Sequence, residues 1–295
     1  MKLLKEAIAF FLIAVYKLRK SNTSGILSIY FHNPSKDIFH KVILWLANNK
    51  YQFISTKELE LLLLTRKELT GKMVCITFDD GWKPNLELLP IIEKYRIPVT
   101  IFIPTDPVIN GNYWFEYARI KRQRFLTKIK NVDEFKKLTF EKFYDKVALL
   151  KANFILDRSC IDLDELKLIS EKELITIGSH TVSHPILKRC SVEVQRKELL
   201  HSKEILTKWL KKEIEYLAYP NGDYNSDTIS IAKECGYKLC FTTFPAVIKV
   251  THADPYLIPR YSINDAGGYL ENIAKALGLW QRFYFKHPPK HQREA

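Results

Sequence analysis

The chain lacks a disulfide framework. Its five cysteines (Cys75, Cys160, Cys190, Cys235 and Cys240) are odd in number and widely spaced, with no CxxC pair. That argues against a cystine-stapled scaffold and a zinc ribbon, and leans towards a reducing compartment. Low-complexity sequence and internal repeats are also missing, which excludes a disordered chain and a solenoid. The apolar run Ala7 to Tyr16 is too short to span a bilayer. Nucleic-acid motifs are absent as well. Basic residues are scattered, and the densest groups, Lys17-Leu18-Arg19-Lys20 and Arg119 to Arg124, fit none of them. No nucleic-acid partner is expected.

What is present suits one large globular domain: 295 residues, 46% of them hydrophobic and 13% aromatic. The net charge of +13 favours an anionic partner, such as a membrane face or an acidic glycan, or else reflects a lysine-rich surface. Residues 1–22 set an apolar stretch with Phe10, Phe11 and Tyr16 between basic residues. The segment suits a helix lying on a membrane surface, with an ordinary packing helix as the alternative. It starts like a signal peptide, but no small-x-small cleavage site follows.

Strands and helices then alternate. Strands are expected at Ile26 to Phe31, Tyr51 to Ile54, Met73 to Phe78, Val99 to Ile103, Leu174 to Ile177, Ile214 to Ala218 and Lys238 to Thr242. Helices are expected from Asn33-Pro34, from the capping box Ser55-x-x-Glu58, and over Leu86 to Tyr95, Val192 to Leu210 and Thr228 to Cys235. This rhythm means an α/β fold with parallel strands, as an open sheet or a barrel. Residues 110–173 break the rhythm and read as a helical insertion over the barrel mouth. Tyr269 to Phe285, within a C-terminal segment 269–295, reads as an amphipathic helix that either meets a membrane interface or packs on the barrel.

Three motifs follow apolar strands, where parallel α/β folds place their sites. In Thr77-Phe78-Asp79-Asp80-Gly81, adjacent carboxylates point different ways, so one can ligate a metal while the other stays free. In Ser179-His180-Thr181-Val182-Ser183-His184-Pro185, two histidines four apart can converge on one ion. Two histidines and a carboxylate leave positions open for water and substrate. In Ala218-Tyr219-Pro220-Asn221-Gly222, a tight turn can aim N–H groups at a bound oxygen, making Tyr219, Pro220 and Asn221 candidate substrate or oxyanion contacts.

On these motifs the sequence resembles the polysaccharide deacetylase superfamily, the carbohydrate esterase group that includes chitin deacetylases. The resemblance covers roughly residues 26 to 265. It implies a distorted (β/α) barrel with fewer than eight complete strands and removal of acetyl groups from an N-acetylated sugar. It implies Asp79 as general base and Asp80, His180 and His184 as ligands of one divalent ion, commonly zinc.

Two departures from the family pattern stand out. The third motif often carries an arginine two residues before its proline, and here that position is Ala218. Arg260, in Ile258-Pro259-Arg260-Tyr261, is the candidate replacement; a structural surface arginine is the alternative. The family's C-terminal Leu-x-His general acid is also missing, and His287 and His291 lie in a polar tail. His32 ends the N-terminal strand Ile26 to Phe31. In members resembling a circular permutation, that strand is the last one moved to the front, which makes His32 the candidate general acid; a helix cap is the alternative.

The expectation is therefore a barrel over residues 23–268 that deacetylates an envelope or lipid-linked glycan. It would associate peripherally with a membrane, on the cytoplasmic face rather than an extracytoplasmic one. The competing readings keep the fold with a non-sugar amide as substrate, or with an inactive glycan- or lipid-binding barrel.

Overall fold

Eight parallel strands form the frame: β1 (Ile26–Phe31), β2 (Tyr51–Ile54), β3 (Lys72–Asp79), β4 (Val99–Ile103), β5 (Ile175–Ser179), β6 (Tyr216–Ala218), β7 (Leu239–Phe241) and β8 (Tyr261–Ser262). The computed structural model describes residues 2–18, 25–66, 69 and 71–280. Strands β1 and β4 are buried along their whole length, as parallel strands sheathed by helices must be. Their β-branched and aromatic side chains suit that environment.

The pairing order is β7-β6-β5-β4-β3-β1-β8. Strand β2 stands outside this path and pairs with Lys72 to Cys75 of β3, while β4 pairs with Ile76 to Asp79. A single long strand thus carries β2 along its first half and β4 along its second. The ring shuts through the extended segment before β8: Ile258 bonds Cys240 and Thr242, and β8 then pairs with β1. With β6, β7 and β8 at three, three and two residues, this is a distorted (β/α) barrel short of eight full strands.

Local chemistry explains the boundaries. Ser55 and Glu58 close a reciprocal capping box on the helix Thr56–Thr65. The helix Val192–Leu210 begins where Ser191 accepts from the Val194 N–H. One start differs from expectation. Ser35, not Asn33, caps the helix Lys36–Asn48, so Pro34 lies outside it. Ser35 presents the β-region backbone and side-chain oxygen that the first-turn N–H of Ile38 needs.

The stretch between β4 and β5 is helical, with helices at Trp114–Arg119, Gln123–Thr127, Val132–Phe135, Phe140–Asn153 and Leu163–Ser170. The N-terminal helix Lys2–Leu18 buries Ala9 and Ile13, and its Glu6 carboxylate accepts from the N–H groups of Leu270 and Glu271. Those groups open the helix Tyr269–Ala276. The packing alternative is therefore realised in the described part of each segment, by Ala9 and Ile13 on the first and by the helix Tyr269–Ala276 on the second. Arg19, Lys20, the aromatic cluster Phe283 to Phe285, His287 and His291 lie outside the described residues. Among those described, no helix is long and apolar enough to cross a membrane.

Candidate metal centre and its cleft

The C-terminal ends of β3 and β5 face the same cleft, about 750 Å³ in volume. It is lined by Asp79, Asp80, His180, His184, His32 and Asn221 among others. Asp79 ends β3, and the chain then turns through Asp80 (φ 75°) and Gly81 (φ 73°). Only glycine suits the second position, because a Cβ there would lie 2.6 Å from the Ile103 side chain. The turn separates the two carboxylates, as the motif predicted.

Asp80, His180 and His184 are buried and offer three ligand atoms within 4.8 Å of one another. The Asp80 Oδ1 atom lies 3.6 Å from His180 Nε2 and 3.4 Å from His184 Nε2. These separations are too long for hydrogen bonds. They match the edge of a tetrahedron whose ligands sit ~2.1 Å from a central ion, an edge of about 3.4 Å. Asp80 Oδ1 is also buried without a hydrogen-bond partner, which suits an atom able to ligate a cation.

Neighbouring groups hold the set in this state. His180 Nδ1 is 2.7 Å from the Ala218 carbonyl, which can only accept. Nδ1 therefore carries the proton and Nε2 is free to ligate. Burial drives the His184 imidazole down to about 4, against an upward pull from Asp80, so it is neutral and ligand-ready near neutral pH. Trp82 donates from Nε1 to Asp80 Oδ2 at 3.1 Å.

Asp79 points instead at Arg260. The guanidinium grips it bidentately, at 2.7 Å to Oδ1 and 2.8 Å to Oδ2. It also donates to Thr77 Oγ1 and the Thr242 carbonyl, and lies 4.4 Å from the Tyr30 ring centre. Arg260 is fully buried, so the surface-arginine alternative falls. Burial alone would raise the Asp79 carboxyl; the charge of Arg260 and its hydrogen bonds outweigh that and leave Asp79 below the usual carboxylate range.

His32 leaves β1 half-buried at the cleft wall, its ring edge-on to Tyr30 at 5.4 Å. Asn85 donates to its carbonyl at 2.7 Å. It caps no helix, since Ser35 does that. The turn after β6 is only partly a cleft element. Tyr219 is fully buried, its hydroxyl donating to the Tyr256 carbonyl and its N–H to Phe241. Pro220 is buried and has no N–H to offer. Asn221, in the left-handed region at φ 55°, is the member that reaches the cleft. The expectation for Tyr219 and Pro220 as substrate contacts is corrected accordingly.

The insertion contributes more than a cover. Tyr113 donates its hydroxyl to the Asp80 carbonyl at 2.8 Å, and Trp114 its indole N–H to the His184 carbonyl at 2.9 Å. Two consecutive aromatics thus hold the backbone of two candidate ligand residues. Sequence reading missed both, and Trp82 too, although Trp82 directly follows the Asp-Asp-Gly turn and could have been suspected.

The family model described as polysaccharide deacetylase matches residues 66–240, more than half of the chain. The chain belongs to the polysaccharide deacetylase family. It is 26% identical to YxkH of Bacillus subtilis over 213 residues, covering 72% of this chain but only 59% of that protein. It is 27% identical to the poly-beta-1,6-N-acetyl-D-glucosamine N-deacetylase of Staphylococcus aureus (strain N315) over 281 residues, 92% of this chain and 82% of that one. The deacetylase PplD of Streptococcus pyogenes superposes with a TM-score of 0.63 at 21% identity, covering 85% of this chain and 97% of that one. IcaB from Ammonifex degensii gives 0.62 at 19% identity, with 87% and 97% covered. These two likenesses establish the shared fold.

Proposed function

We propose that this chain is a glycan N-deacetylase, hydrolysing the acetamide of an N-acetylated sugar to a free amine and acetate. One observation carries the reading: a buried Asp-His-His set and an arginine-gripped carboxylate open onto a single cleft. A poly-N-acetylglucosamine type of substrate is favoured by the Staphylococcus aureus relative, whose name specifies that polymer.

Asp80, His180 and His184 would hold the ion, and zinc suits a set of two nitrogens and one oxygen. When bound, the ion supplies Lewis-acid polarisation of the acetyl carbonyl and acidifies water beside it. Asp79 takes the proton of the attacking water as general base. Arg260 keeps that carboxylate ionised and fixes its plane. His32, on the wall formed by β1, protonates the departing amine. In the turn after β6, the Asn221 N–H is the donor left to face the oxyanion, because Tyr219 is engaged and Pro220 has none.

Acetate release from β-1,6- and β-1,4-linked N-acetylglucosamine oligomers tests this reading, with wild type, Asp79→Asn and His32→Ala compared and bound metal quantified. Wild type should release acetate, and both variants should be severely impaired. Full activity in Asp79→Asn would sink the mechanism. Release from simple amides but from no sugar would transfer the reading to a non-sugar amidase.

We further propose that the protein works at a membrane surface, on an envelope or lipid-linked glycan. Leu4, Phe11 and Leu18 recur every seven residues along the N-terminal helix, with Leu3 and Phe10 beside them, and all five are exposed. Ala9 and Ile13 dock the opposite face, so this apolar stripe is left for another surface. Its basic flanks suit anionic headgroups. Sedimentation with phosphatidylglycerol vesicles should pull down wild type and spare Phe10→Ser/Phe11→Ser. Concentration-dependent dimerisation without vesicle binding would overturn this part alone.

A further inference from the structure

The loop carrying both histidines is strained. Thr181 has φ 68° and His184 φ 56°. A β-branched residue rarely enters the left-handed region, and such a conformation persists only where the surrounding structure over-determines it.

Two sides enforce it. From β4's end, the N–H groups of Thr105 and Asp106 donate to the carbonyls of Thr181 and Val182. From the helix Val192–Leu210, the Glu198 carboxylate accepts three bonds. Oε2 takes the N–H of Val182 at 2.8 Å and of Ser183 at 2.9 Å, and Oε1 takes the Ser183 hydroxyl at 2.7 Å. One turn further along the same helix, Ser202 meets Ser179 hydroxyl to hydroxyl at 2.6 Å. Helical spacing thus brings Glu198 and Ser202 to two points of one loop.

Glu198 is itself buried, and among the described residues no cation lies within ion-pair distance of it. A buried carboxylate without a counter-ion is costly, and three donors from one loop are its compensation. No neutral side chain of that length accepts with both oxygens. The loop's donors and the carboxylate therefore fix one another, and the fixed residues lie between the two histidines.

We infer that Glu198 is the positioning residue of the metal site: it touches neither substrate nor ion, and it holds the 181–183 turn so that His180 and His184 converge. This rests on reading those histidines as ligands. Glutamine at 198 can still accept both backbone N–H groups, with the Ser183 hydroxyl turned to accept from its amide; alanine accepts nothing.

The test is cobalt(II) and zinc affinity of the full chain by chelator competition, with the cobalt visible spectrum recorded. Glu198→Ala, Glu198→Gln and His184→Gln are compared with wild type, and folding is followed by circular dichroism. Glu198→Ala should bind about 10–100-fold more weakly, the loss typical of outer groups that orient ligands, with an altered cobalt spectrum. Glu198→Gln should stay within about threefold of wild type by the same comparison. If alanine does not fold, Glu198→Asp takes its place and should fall between the two. Unchanged affinity and spectrum in a folded, merely less stable Glu198→Ala would overturn the inference, leaving only a structural role. Failure of wild type to bind, or no loss in His184→Gln, would instead overturn the ligand assignment beneath it.

Discussion

The two walls of the cleft are built differently. On one, Asp79, Asp80, His180 and His184 leave strand ends or the segments beside them, all buried and all held by named partners, with Arg260 behind Asp79. On the other, the insertion contributes Arg119, Val132 and Lys136, exposed or half-buried, and it leaves Phe125, Tyr144 and Ile155 in solvent. Groups that must stay within tenths of an ångström of each other sit where the ring fixes the backbone. The cleft residues of the outer wall sit at or beside short helices outside it. Tyr113, Trp114 and Phe115 are the exceptions: they belong to the insertion, but the first two bond the backbone of Asp80 and His184, and the buried Phe115 ring meets that of His184 edge-on.

The comparison breaks if substitutions on the two walls cost alike. Asp79→Asn should have the largest effect, lowering kcat about 10²–10⁴-fold, the usual range for a general base, with little change in KM. Arg260→Met strands the Asp79 carboxylate in the ring interior. It should lower stability by roughly 3–5 kcal/mol in urea titrations as well as slowing turnover. Trp82→Phe removes one bond to Asp80 Oδ2 and should raise the metal Kd about tenfold, at the low end for such orienting groups.

A pH profile sharpens the same contrast. The folded His184 imidazole titrates near 4 against its ordinary 6.5, so between these values the unfolded chain binds the extra proton and the fold does not. Metal-free wild type should therefore lose stability relative to His184→Gln as pH falls below 6.5, with the difference levelling off below about 4. A difference that does not vary with pH would contradict it. The smallest effects belong to the outer wall: Tyr144→Ser or Ile155→Ser should change stability by less than about 0.5 kcal/mol and leave kcat alone.

Much of the rigid wall was legible in the sequence, because strand ends and short motifs are local. The pairs Asp79-Asp80 and His180-His184 could be placed on one cleft from their strands alone, and the helix Val192–Leu210 has the bounds its periodicity gave. Arg260 was reachable only through a gap at Ala218, and nothing local shows that it crosses to β3. The turn after β6 was read two residues too broadly, since what parts Tyr219 and Pro220 from Asn221 is a backbone angle that composition does not encode. Tyr113, Trp114 and Glu198 were invisible for a common reason. Each bonds a backbone group of a residue between 15 and 70 positions away, and such bonds leave no pattern in the partner's side chain.

The grip of Arg260 on Asp79 spans 181 positions of chain. A ribosome therefore makes strand β1 and the segments carrying Asp80, His180 and His184 well before it makes the arginine that balances Asp79. Until residue 260 joins the ring, the carboxylate at the end of β3 has no counter-charge, and the seam between β7 and β1 is open. An incomplete chain is thus not a weaker enzyme but an unfinished one. The last strand acts as a seal on the ring.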